Sequence, residues 1–145
     1  MRRVLGLAAV VLLAACGGGG SSTSGPRFDT PRAVADALAK AGLGCSDFTD
    51  TSSTSNQVGT VYSSGRGKCT VESEVTTLES FKDSGDLAKE FAEAKVLGCS
   101  VGKSLGVSSF DWVAGPTWSA TPKSATEAKR IASAIGGSAQ HFDCP

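Results

Sequence analysis

Five cysteines constrain this chain more than any other feature: Cys16, Cys45, Cys69, Cys99 and Cys144, an odd number in 145 residues. The first of them closes a segment unlike the rest. Arg2 and Arg3 supply positive charge, Val4-Leu5-Gly6-Leu7-Ala8-Ala9-Val10-Val11-Leu12-Leu13 supplies an apolar run, and Ala14 and Ala15 lead into Cys16. A charged start, a short apolar core and small residues before a cleavage point form a secretory signal. A membrane-spanning helix needs roughly 20 apolar residues; this run is shorter and gives way to Gly17-Gly18-Gly19-Gly20. Export puts the remaining chain where disulfides form and persist. Cys45, Cys69, Cys99 and Cys144 are then an even set, with three pairings open to them. On the loop-entropy account each bridge contributes about 3–4 kcal/mol, a large share of a small domain's stability. Zinc is the competing use of cysteine and calls for ligands at metal spacing. The chain has no C-x-x-C pair and His141 is its single histidine, so no metal or cofactor is expected.

Leu13-Ala14-Ala15-Cys16 followed by glycine has the form of a bacterial lipobox. Removal of residues 1–15 and lipidation of Cys16 would explain the odd count, since an exposed thiol in an oxidising space is a liability. The alternative is a plain cleavage site with Cys16 as an incidental thiol. Arg2-Arg3 raises the question of twin-arginine export, but the residues around the pair carry little else of that signal, which favours the general secretory route. Residues 16–27 are the lipidated cysteine and a Gly/Ser tether with an end-to-end distance of about 18 Å. Residues 28–145 are the size of one folding unit. The expected location is the extracytoplasmic face of the cell membrane, with the membrane as partner through lipid on Cys16. The chain carries 14 basic and 14 acidic residues; loss of Arg2 and Arg3 leaves twelve against fourteen, a formal charge of −2. So balanced a chain makes no electrostatic case for nucleic acid.

Order is expected from Phe28. Thr30 is a good N-cap, Pro31 suits the first helical position, and Val34, Ala37, Leu38 and Ala41 recur on one face, predicting a helix over Pro31 to Ala41. A short strand follows around Cys45 to Phe48, then a polar loop from Asp50 to Gln57. Val58 to Ser63 and Lys68 to Ser73 read as a hairpin about a Ser64-Gly65-Arg66-Gly67 turn, with a third strand near Val75 to Phe81. Helix two is predicted from Ser84 to Leu97, with Leu87, Phe91, Ala94 and Leu97 inward and Gly98 as its stop. Phe110 to Val113 and Trp118 to Ala120 flank a Gly115-Pro116 turn as a second hairpin. Ser124-Ala125-Thr126-Glu127 opens helix three, with Ala128, Ile131 and Ile135 buried before Gly136-Gly137. The tail from Ser138 reads as irregular, pinned by Cys144. The class is α+β: an antiparallel sheet of about four to six strands, three helices packed on one face, and two disulfides.

The helix running into Ala41-Gly42-Leu43-Gly44-Cys45, the Gly67-Lys68-Cys69 strand, Val113-Ala114-Gly115-Pro116-Thr117-Trp118 and Ile135-Gly136-Gly137, together with the lipobox, resemble small secreted lipoproteins of actinobacteria. The resemblance covers most of the mature domain and carries no catalytic motif. It implies a pairing of Cys45 with Cys69, which leaves Cys99 for Cys144. This chain departs from the pattern in its second pair of cysteines and in Thr117 and Ser119, where an amide and an apolar residue are usual.

Chemistry is sparse. Gly102-Lys103-Ser104-Leu105-Gly106 matches G-x-S-x-G, and Asp111 and His141 follow in the order of an α/β-hydrolase triad, so a small serine hydrolase using Ser104 and His141 is the alternative function. The elbow needs a strand before it and a helix after it, whereas a helix is predicted ahead of this one. Gly98 and Gly102-Lys103-Ser104 approach a phosphate loop one residue short of its spacing. Glu72 and Glu74 stand two apart, as paired carboxylates on a strand would, or as a solvated strand edge. Phe110, Trp112 and Trp118 are a candidate ligand groove beside the Gly115-Pro116 turn, or simply core. The expected function is a binding or interaction module without catalysis, taking an envelope protein or a small ligand.

Overall fold

The computed structural model describes residues 25–53 and 61–145. Helix α1, Pro31–Lys40, starts where Thr30 accepts the Ala33 N–H through its side chain and Pro31 occupies the first turn. Strand β1, Ser46–Asp50, pairs with β2, Gly65–Val71, which pairs with β3, Glu74–Ser80. Helix α2 spans Ser84–Leu105, and Asp83 accepts the Gly85 and Asp86 N–H groups at its start. Strands β4, Ser109–Ala114, and β5, Trp118–Thr121, form the expected second hairpin. Helix α3, Ala125–Ile135, capped by Ser124, leads into β6, Ser138–Asp143. The six strands lie in the order β1-β2-β3-β5-β4-β6, with every neighbouring pair antiparallel.

The α+β class, the three helices and both disulfides are as expected. Cys45 bridges Cys69 and Cys99 bridges Cys144, with Cα atoms 5.3 and 5.1 Å apart. The packing of all three helices on one face is corrected. Val34 and Leu38 of α1 and Ile131 and Ile135 of α3 share a core with Val71, Leu78, Val113 and Trp118. Leu87 of α2 packs instead with Phe81, Trp112 and Ala114, flanked by Phe91, Phe110 and Phe142. The topology demands this division. The chain passes from β3 through α2 to β4, and from β5 through α3 to β6; each crossover skips one strand in the same direction along the sheet. Strands β3 and β5 run oppositely. Crossovers between parallel strands are right-handed, so reversing the strand reverses the face that receives the helix.

Four local expectations also change. Gly98 does not stop α2; the helix continues for two turns and ends at Gly106, whose φ of 73° forms the left-handed cap. A Cβ at Gly98 would lie 3.2 Å from the Phe110 ring, so the glycine serves close packing. The first hairpin is β2 with β3 rather than Val58–Ser63 with Lys68–Ser73. Part of the expected strand, residues 58–60, lies outside the described residues, and the hairpin turn is Glu72-Ser73, both at positive φ. Ser138 to Asp143 is the edge strand β6 rather than an irregular tail. The chain joins the domain ahead of Phe28, since the Pro26 carbonyl accepts the Trp118 indole N–H at 2.9 Å.

Candidate functional site

Helix α2 is fastened to one half of its sheet face. Phe91 packs edge-on to Trp112 and to Phe142, with ring centroids 5.0 and 4.8 Å away, and Phe110 lies 5.2 Å from Phe142. The Cys99–Cys144 bridge adds a covalent link from the helix to the end of β6. Farther along α2, the sheet beneath presents Thr77 of β3 and Thr121 of β5 in place of apolar side chains, and a cleft of about 430 Å³ remains between helix and sheet. Its walls are mostly apolar: Ala94, Gly98, Val101 and Leu105 from α2, with Phe110 and Trp112 from β4. Val101 and Leu105 are 55% and 73% exposed, so the cleft is open along its flank. The volume falls within the usual range for small-molecule sites.

Two polar features stand out in this apolar setting. Trp112 is 3% exposed, and its Nε1 is buried without a hydrogen-bond partner among the described residues. A buried donor left unpaired costs about 1–3 kcal/mol, a penalty sited in the wall of the cleft. One end of the cleft is charged. Arg66 donates from Nε to Glu79 Oε1 at 2.7 Å, pairs with the same carboxylate through Nη2, and reaches Glu90 Oε1 at 3.4 Å. Ser119 Oγ donates to the other Glu79 oxygen at 3.4 Å. Glu90 also accepts the Tyr62 N–H at 3.2 Å, and the Tyr62 hydroxyl donates to Glu93 at 3.1 Å. Burial, then the charge of Glu79, pushes the Glu90 carboxyl above its ordinary value, with Arg66 pulling the other way.

Of the expected groove residues, Phe110 and Trp112 line this cleft and Trp118 does not. Trp118 is fully buried on the opposite face, bonded to Pro26 and packed 5.6 Å from the Phe28 ring. Ser104 sits in the last turn of α2, where its hydroxyl donates to the Val101 carbonyl at 3.1 Å. His141 is on β6, with Nδ1 2.8 Å from Asp111 and Nε2 3.3 Å from Asp143. The structure brings Asp111 and His141 together and bonds Ser104 to neither. Residues 102–106 close a helix instead of forming a strand-to-helix elbow. The same placement bears on the phosphate loop: Gly102-Lys103-Ser104 lies at a helix C-terminus, where carbonyls rather than N–H groups are free. Glu72, in the β2–β3 turn, and Glu74, the first residue of β3, pair separately, with Arg130 and Lys123. Among the described residues no group of three or more His, Cys, Asp or Glu side chains is placed for a metal ion, and no helix is long and apolar enough to cross a membrane. Cys16, where lipidation is expected, lies outside the described residues.

Arg66, Glu79 and Glu90 were not legible as a site, since they come from β2, β3 and α2. The second half of α2 did leave a trace: Ala94, Gly98, Val101 and Leu105 continue the helical spacing beyond the glycine read as a stop. No protein-family model matches the chain, and comparison with curated proteins and with solved structures finds no match either.

Proposed function

We propose that the chain is an envelope lipoprotein, held on the extracytoplasmic face through lipid on Cys16, that binds a small apolar ligand in the cleft beneath α2. The observation that carries the binding reading is the half-fastened helix. Ala94, Gly98, Val101 and Leu105 of α2 line one side of a cleft whose other side is the sheet, and Trp112, in its wall, has an indole N–H unpaired among the described residues. The two disulfides accord with an oxidising compartment. A peptide helix is a poor occupant, because with side chains it measures about 10–12 Å across and α2 already fills that position.

The test uses the full chain with Cys16→Ser, purified without detergent and with both disulfides formed. N-phenylnaphthylamine, a neutral apolar fluorophore, is expected to bind with a blue shift and enhanced emission. Val101→Trp fills the open flank and abolishes the enhancement while leaving the thermal melt in place. No enhancement with the parent, or an undiminished one with Val101→Trp, would refute the reading.

A further inference from the structure

The cleft is not symmetric along its length, and the asymmetry describes a ligand. Glu90 stands at one end of the lined stretch of α2 and Leu105 at the other. At 1.5 Å per residue they are about 22 Å apart along the helix axis. From Ala94 to Leu105 the helix offers apolar side chains and glycines. At the other end Glu79 and Glu90 face the cleft, with Glu93 behind them through Tyr62. Among the described residues, Arg66 forms the ion pairs to Glu79 and Glu90, while Glu93 accepts from the Tyr62 hydroxyl. Arg66 spends two donors on Glu79 and reaches Glu90 only at 3.4 Å. Lys68, on the same side of β2, projects into solvent as an exposed residue.

Resting on the binding reading above, we propose that the ligand is a single-chain amphiphile with a cationic, hydrogen-bond-donating head, its chain along α2 and its head against the Glu90 carboxylate, beside the Arg66 guanidinium that bridges Glu79 and Glu90. The side chain of Glu90 is 14% exposed, and among the described residues its Oε1 has the long contact to Arg66 alone, so an ammonium group there gains charge-assisted hydrogen bonds in a partly desolvated place. The raised titration of Glu90 reports the same environment from the side of the proton: burial and neighbouring carboxylates penalise its charge, and a ligand cation would relieve that penalty. An anionic head would face Glu79 and Glu90 with Arg66 already engaged by both.

Displacement of N-phenylnaphthylamine by dodecylamine, dodecanol and dodecanoate, each below its micellar concentration at neutral pH, tests the assignment. One charge-assisted bond supports an advantage of about tenfold for the amine over dodecanoate, with the alcohol between them. Glu90→Gln, whose folding is checked by its melt, brings the amine close to the alcohol. Lowering the pH does the same, because protonation of Glu90 removes the charge that Glu79 and Glu93 oppose and Arg66 supports. Equal displacement by all three probes, or an advantage for dodecanoate through Lys68, overturns the head-group assignment and leaves the cleft as a binding site. Failure of the fluorophore itself to bind overturns the reading beneath it.

Discussion

Two buried tryptophans provide an internal control for the unpaired donor in the cleft. Trp118 is fully buried and donates to the Pro26 carbonyl at 2.9 Å, whereas the indole N–H of Trp112, 3% exposed, has no partner among the described residues. Phenylalanine at either position removes the same volume, so cavity and transfer costs are similar and the difference between the variants isolates the N–H. Trp118→Phe forfeits about 1 kcal/mol of hydrogen bonding. Trp112→Phe removes a group whose desolvation costs about 1–3 kcal/mol, which offsets the cavity. Trp118→Phe is therefore expected to be less stable than Trp112→Phe by roughly 2–4 kcal/mol. With a urea m-value of about 1–2 kcal/mol/M, the unfolding midpoints followed by far-ultraviolet dichroism separate by at least about 1 M. Trp118→Phe also loosens the segment around Pro26, so tryptic cleavage after Arg27 accelerates in that variant alone. Equal midpoints would mean that the Trp112 N–H is paired in solution, and the argument for an unsatisfied donor in the cleft would fail.

Removing Cys99 and Cys144 together by alanine opens a loop with a separation of 45 residues and is expected to cost about 4 kcal/mol; removing Cys45 and Cys69, 24 apart, costs slightly less, and urea midpoints rank the two. Gly115→Ala places a Cβ 2.0 Å from Nε1 of the fully buried Trp118, so it destabilises by about 3 kcal/mol or more, while Gly42→Ala meets no atom within 4 Å and costs about 1 kcal/mol for its positive φ. Comparable melts for these two variants would contradict the packing at the β4–β5 turn. His141 titrates above its ordinary 6.5 because of its hydrogen bond to Asp111, with Asp143 adding to the shift. Its contribution is complete below the unfolded value and disappears as the pH rises through the higher folded value. The melting temperature therefore falls slightly as the pH climbs upward from about 6.5, and His141→Gln flattens the profile; a rise over that window would reverse the assigned sign.

The local parts of the fold were legible because their causes are local. Thr30 and Ser124 announce helices α1 and α3 through side-chain oxygens that accept N–H groups three residues on. What escaped has distant causes. Gly65 and Gly67 resemble turn residues, yet they lie within β2 because a Cβ would meet the Pro31 ring at 2.9 Å and the Phe48 ring at 2.7 Å. The real turn uses Glu72 and Ser73, residue types that rarely adopt positive φ, so nothing in their identity signals it. Trp112 and Trp118 look equivalent in the sequence because both flank Gly115-Pro116. Their separation depends on register: Val113 opposes Ala120, which puts Trp118 on the Val113 side and Trp112 on the other. That parity is invisible until the strands are aligned.

The cleft follows from the same topology. A six-stranded sheet, with neighbours about 4.8 Å apart, is about 24 Å wide, and a packed helix covers a width of about 10 Å. Two right-handed crossovers from oppositely directed strands send α3 to the face held by α1 and leave α2 alone on the other. Two helices nearly cover a sheet; one cannot. The chain meets that deficit in two ways: polar side chains at Thr77 and Thr121 on the uncovered strands, and attachments that draw α2 toward β4 and β6. Those attachments, the Phe91–Trp112–Phe142 cluster and the Cys99–Cys144 bridge, decide which flank of α2 stays free. The free flank is the one that faces Arg66, Glu79 and Glu90. The second disulfide is thus one of the links that set the position of the cleft, and its removal is expected to weaken the proposed binding of N-phenylnaphthylamine before it unfolds the α1–α3 face.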